Sequence, residues 1–163
     1  MTNVAKTAIP TPVAPIHPGS CHCGAVRFQV ALDDARPGSR CNCTICTKTG
    51  ITGGIVKPAA FTLTAGEESL SFYEWGGKTG RRFFCRHCGI QCFGRGYLVE
   101  VGGDYVSVNL NAIDDIDVAQ LSIVHWDGRH NNWHAGPRPT PYPIFSDAGS
   151  GPGCSQGLTA LSS

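Results

Sequence analysis

No stretch of this 163-residue chain is apolar for long enough to span a membrane. Residues 1 to 20, interrupted by Pro10, Pro12, Pro15 and Pro18, hold no apolar run of signal-peptide length. The expectation is a protein without a membrane partner, working in the reducing cytoplasm. Charge is scarce as well. Only 15% of residues are charged and the formal net charge is +1, so the concentrated basic surface of a nucleic-acid binder is missing. Nucleic acid is therefore not expected as a partner. The glycines at Gly53-Gly54 lack the following helix that a phosphate loop needs, and no internal repeat is present beyond recurring cysteine pairs.

Turns and thiols are what the chain has in abundance. With 21 glycines and 11 prolines, it reads as a mostly β fold of short antiparallel strands with few or no long helices. Its length suits one domain with a core of its own. Residues 1–18 are rich in Ala, Pro and Thr and read as a disordered arm. Residues 19–145 form the folded domain, and 146–163 are a flexible Gly/Ser-rich tail holding Cys154 as a free thiol. Val26, Phe28 and Val30 alternate with Arg27 and Gln29, which predicts a half-buried strand. Further strands are expected at Ile55-Val56, Phe61–Thr64, Leu70–Trp75, Arg81–Cys85 and Ser122–Trp126. Tyr97–Val101 and Tyr105–Leu110 read as a hairpin around Gly102-Gly103-Asp104. A helical turn is expected at Thr44–Lys48.

Nine cysteines, an odd number crowded at spacings of one and two residues, argue against a disulfide framework. A thioredoxin-like redox motif would need a βαβ context, which is missing. Metal binding remains the best reading. Cys21-His22-Cys23 is a C-x-C pair, Cys85 and Cys88 form a C-x2-C knuckle closed by Gly89, and Cys41, Cys43 and Cys46 form a C-x-C-x2-C triplet. Zinc prefers four ligands. The spacing therefore predicts two zincs per chain, one held by Cys21, Cys23, Cys85 and Cys88, the other by Cys41, Cys43, Cys46 and Cys92.

The run Cys21-x-Cys23-Gly24, then Cys41-x-Cys43-x2-Cys46-x-Lys48-x-Gly50, then Phe84-Cys85-x2-Cys88-Gly89 with Phe93-Gly94-Arg95, resembles the glutathione-dependent formaldehyde-activating enzymes, whose domain is shared with centromere protein V. Val106–Leu110 and His125-Trp126-Asp127-Gly128-Arg129 fit the family's closing strands more loosely. The resemblance implies a zinc-containing β-tent fold. It also implies a structural zinc at Cys21, Cys23, Cys85 and Cys88 and a catalytic zinc at Cys41, Cys43 and Cys46. The implied activity is that of a carbon-sulfur lyase or synthase, with a small-molecule thiol (glutathione) and an aldehyde (formaldehyde) as partners, forming S-(hydroxymethyl)glutathione. Its rival is a non-catalytic zinc-binding interaction module.

Lys48, Arg81, Arg82, Arg86 and Arg95 lie near the cysteines in sequence, and Lys48 and Arg95 are taken as candidates for binding the carboxylates of a glutathione-like ligand. The plainer reading of these cations is a solvated strand face. His22 and His87, inside cysteine pairs, should point outward. His125, His130 and His134, with Trp126 and Trp133, match no zinc motif and are expected in packing and loop positions. Asp127-Gly128 reads as a turn.

Overall fold

The computed structural model describes residues 14–33, 36–74 and 76–145. In chain order these form β1 (Ile16–Ser20), β2 (Arg27–Ala31), β3 (Gly38–Cys41), the helix α1 (Thr44–Thr49), β4 (Gly53–Val56), β5 (Phe61–Ala65), β6 (Leu70–Tyr73), β7 (Gly80–Cys85), β8 (Gln91–Leu98), β9 (Gly103–Asn109) and β10 (Ile123–Trp126). Single 3-10 turns join several of them. The fold is mostly β, as composition implied, and α1 has only six residues. Among the described residues no helix is long and apolar enough to cross a membrane.

Two sheets lean together over one core. The smaller has the order β1-β2-β5; the larger runs β10-β3-β4-β9-β8-β7-β6. In β2, Phe28 and Val30 are buried while Arg27 and Gln29 are exposed, so the alternation read from sequence gives this strand its inner face. In β9, Val106 and Val108 are fully buried and Ser107 is not. Phe28, Phe61, Phe83 and Phe93 fill the space between the sheets. The ring centroids of Phe61 and Phe93 are 4.6 Å apart, and those of Phe83 and Phe93 5.0 Å. Each buried Phe contributes about 1.5–3 kcal/mol, and close ring pairs add about 1 kcal/mol.

Several boundaries differ from expectation. The fold begins earlier than residue 19: β1 pairs Ile16 with Ala31 through Ser20 with Arg27, and His17 is buried on it. Pro18 is tolerated because β1 is an edge strand. β8 starts at Gln91 and ends in a 3-10 turn at Val99–Val101, so the hairpin exists with its first arm displaced towards the N-terminus. β3 and β10 pair in parallel, which the antiparallel expectation did not include. Residues 1–13, Trp75, and the tail from Ser146 with Cys154 lie outside the described residues.

One irregularity matters for the cysteines. β7 and β8 pair Phe83 with Phe93 but Phe84 with Gln91, so Cys92 is the extra residue of a β-bulge.

Candidate metal centres

The first centre lies where the two sheets' turns meet. Cys21 directly follows β1 and Cys85 ends β7, each followed by a tight turn. The Gly24 N–H donates to the Cys21 carbonyl at 2.9 Å and the Gly89 N–H to the Cys85 carbonyl at 2.8 Å. Both glycines take positive φ, 74° and 75°, which a residue with a side chain adopts at a cost. The turns bring the sulfurs of Cys21, Cys23, Cys85 and Cys88 within 4.8 Å of one another. Cys21 and Cys23 sulfurs are 3.6 Å apart, and those of Cys23 and Cys85 are 3.7 Å apart. Sulfurs placed about 2.3 Å from a tetrahedral zinc would stand about 3.8 Å apart, so the set fits this ion. Backbone N–H groups also favour thiolates here. Those of Ile90 and Cys23 bring Cys88 down to about 6. Burial opposes the Cys21 thiolate, but the Val26 N–H, 3.3 Å from its sulfur, helps to lower its pKa on balance.

The second group, Cys41, Cys43 and Cys46, is held by one short segment. Cys41 ends β3, Cys43 caps α1 and Cys46 lies in its first turn. Their sulfurs again lie within 4.8 Å of one another. They are close enough to share protons. Cys43 is pulled far below the usual thiol range by hydrogen bonds from Cys41 and Cys46, with the charge of Arg82 adding to the effect. Cys46 is pushed up by the same two neighbours and by burial, with Arg82 opposing.

A loop after β10 closes over this triad. Asp127 is buried and its Oδ1 accepts from the Asn42 amide at 2.7 Å; the His130 Nδ1 is 2.6 Å from the same oxygen. Asn132 donates to Oδ2 at 3.3 Å. Burial alone would raise the Asp127 pKa, but the bonds from Asn42, His130 and Asn132 outweigh it and lower it. The Arg129 N–H returns to the Asn42 side-chain oxygen at 2.8 Å, and its guanidinium donates to Thr44 at 3.1 Å. Gly128 passes so near that an added Cβ would stand 2.5 Å from the Cys41 sulfur and 2.8 Å from the Trp133 ring.

The structure thus brings together seven of the eight proposed ligands and leaves Cys92 out of the second group. The bulge turns Cys92 into the core, where it is fully buried and donates weakly to the Ile90 carbonyl. Burial, followed by the charges of Cys21, Cys85, Cys88 and Cys23, pushes its thiol up to about 12. It borders the first centre and is not the fourth sulfur of the second. Arg95, an exposed side chain, sits against aromatic rings. It lies two residues beyond Phe93, on the same strand face, and its guanidinium sits 5.7 Å from the Phe61 ring centroid and 5.8 Å from that of Phe93. Lys48 is exposed in the last turn of α1. His22 and His87 are exposed. No histidine joins either cysteine group among the described residues, and Trp126 and Trp133 pack with centroids 6.2 Å apart. The closing role of Asp127 and Gly128 was missed; the available signal was the Asp-Gly-Arg run directly after a strand-ending Trp.

A family model for the glutathione-dependent formaldehyde-activating enzyme matches residues 16–127, spanning both cysteine groups and ending on Asp127. A Halomonas elongata protein provisionally named as such an enzyme is 46% identical over 78 residues, which are 43% of this chain and 50% of that protein. The match thus spans half the length of that curated relative. A crystal structure of a Rhodobacter sphaeroides protein superposes with a TM-score of 0.59 at 29% identity, covering 67% of this chain and 98% of that one. With the matched region covering most of the described fold, the chain belongs to the glutathione-dependent formaldehyde-activating enzyme family.

Proposed function

We propose that each cysteine group holds one zinc and that the protein catalyses addition of glutathione to formaldehyde, giving S-(hydroxymethyl)glutathione; the reverse reaction makes it a carbon-sulfur lyase. What supports this most is the contrast between the groups, four converging sulfurs in one and three in the other. Four thiolates complete a tetrahedral zinc, whereas three leave a position for a reactant. When bound there, zinc would supply Lewis acidity that lowers the pKa of an incoming thiol.

The remaining work falls to the chain. Cys41, Cys43 and Cys46 hold the metal, and the Asn42–Asp127 bond fixes their segment against the closing loop. The Arg82 charge favours anionic sulfur at Cys43 and Cys46. Lys48, two residues after Cys46, would attract a carboxylate of the tripeptide. In the addition, sulfur bonds to the carbonyl carbon, the C=O π bond opens, and the thiol proton ends on the new hydroxyl, so no further reactant is needed. Positioning thiol and aldehyde together is the main source of acceleration. The ligands act as thiolates, which suits a reducing compartment such as the cytoplasm.

The test is metal analysis of protein purified without chelator, followed by exchange NMR of a glutathione and 13C-formaldehyde mixture. Two zincs per chain and exchange faster than the spontaneous rate, lost in Cys46→Ala, are expected. Two zincs with no acceleration would leave a zinc-stapled interaction module as the better reading.

A further inference from the structure

The face of the larger sheet turned away from the core carries a second arrangement. Alternation from the buried Val106 and Val108 places Tyr105, Ser107 and Asn109 of β9 on this face. Register adds Gly53 opposite Asn109, Gly94 opposite Ser107, Gly96 opposite Tyr105, and Arg82 opposite Gly94. Ser39 of β3 pairs with Gly53, so the same face leads to Cys41 two residues later. Arg95, one residue beyond Gly94, belongs to the opposite face.

Glycines keep this surface low. A Cβ on Gly96 would stand 2.7 Å from the Tyr105 hydroxyl, and one on Gly80 would stand 3.4 Å from it. The phenol therefore lies across β8 with its hydroxyl beside β7, the strand that carries Arg82 two residues beyond Gly80. Burial raises the Tyr105 pKa while Arg82 opposes it, and the phenol remains a proton donor at neutral pH. Register carries one sheet face from Arg82 through Gly94 and Ser107, then Asn109, Gly53 and Ser39, to Cys41, so cation, phenol and triad share that face. At the triad end, the Gln91 carbonyl accepts from Asn109 at 2.7 Å, and the buried Gln91 Nε2 has no hydrogen-bond partner among the described residues. A guanidinium, a phenolic donor and a spare amide donor over a glycine floor together suit an extended anionic ligand.

We propose that Arg82 and Tyr105 form a carboxylate seat beside the cysteine triad, so that the protein selects acidic thiols over neutral ones. This rests on the reading of the triad as the place where a thiol reacts, and it replaces Arg95 as the arginine that meets the substrate.

The test uses the full zinc-loaded chain and calorimetry with three probes: glutathione, its diethyl ester, and S-methylglutathione, which keeps the carboxylates but has no ionisable thiol. Wild type should bind glutathione about tenfold more tightly than the diester, the scale of one charge-assisted contact. Arg82→Gln should weaken glutathione and S-methylglutathione by about that factor and leave the diester within about twofold. Arg82→Lys should restore part of the preference, and Tyr105→Phe should reduce it about threefold, as loss of a neutral donor does. An undiminished preference in Arg82→Gln, or equal weakening of acid and ester, would overturn the seat. Should Arg82→Gln not fold, Tyr105→Phe and Arg82→Lys decide by the same comparison. The two proposals fail separately. S-methylglutathione binding that depends on Arg82, without accelerated formaldehyde exchange, keeps the seat and removes the reaction. Accelerated exchange with no acid preference does the reverse.

Discussion

The Asn42 amide donates to the Asp127 carboxylate across 2.7 Å, joining the segment between two cysteines of the triad to the loop that closes over it. Asp127 also meets His130 and Asn132, so one buried carboxylate holds three donors in place.

Asp127→Ala should therefore strand those donors and lower stability by about 2–3 kcal/mol, the scale for losing hydrogen bonds to a buried charge. The second zinc should be released at lower chelator concentration, with the first unaffected. The pH dependence has a definite sign. The folded pKa of Asp127 lies below its ordinary value of 3.8, so its stabilisation is present above that value and is lost as pH falls through the folded pKa. The gap in melting midpoint between wild type and Asp127→Asn should be constant at neutral pH and shrink below about pH 4. A gap independent of pH down to 2 would show that ionised Asp127 does not stabilise the fold.

Gly128→Ala tests the same closure by sterics. The new methyl would lie 2.5 Å from the Cys41 sulfur and 2.8 Å from Trp133, so the loop must lift. Overpacking of this kind costs about 1–3 kcal/mol. Zinc at the triad should bind at least tenfold more weakly. Unchanged zinc affinity with a normal melting curve would mean the loop yields freely and does not shape the site.

Much of this was legible in the sequence, for local reasons. C-x-C and C-x2-C spacings fix sulfurs within a single turn, so the first centre and the triad could be read without knowing the fold. Strand faces were legible wherever alternation was unbroken, as in β2. Cys92 was misassigned because a bulge is a property of two paired strands, and Phe84 opposite Gln91 cannot be seen in either strand alone. The sequence reading preferred Arg95 to Arg82, and only the core-facing Phe93, through strand alternation, places the two arginines on opposite faces. Asp127 was read as a turn residue because its partner, Asn42, lies 85 positions away.

Cys92→Ala separates the bulge reading from the earlier ligand expectation. A buried core thiol that ligates nothing can be removed without loss of metal. Zinc content should stay at the wild-type value, and stability should fall by about 1 kcal/mol from the small cavity. Loss of one zinc would return Cys92 to the ligand set.

The two centres should also differ in how much of the chain they tie together. Cys23 and Cys85 are 62 positions apart and their centre joins the turns of both sheets, whereas Cys41, Cys43 and Cys46 lie on one segment. Metal binding that closes a long loop is coupled to global folding, and a local knuckle is not. Cys88→Ala should therefore lose a zinc together with most of the cooperative unfolding transition, while Cys46→Ala should lose a zinc and keep that transition. In wild type, chelator should remove zinc in two phases, the first without change in far-UV circular dichroism and the second with unfolding. A single phase, with both variants unfolding alike, would mean the triad also staples the fold, and the separation into a structural and a reactive centre would fall.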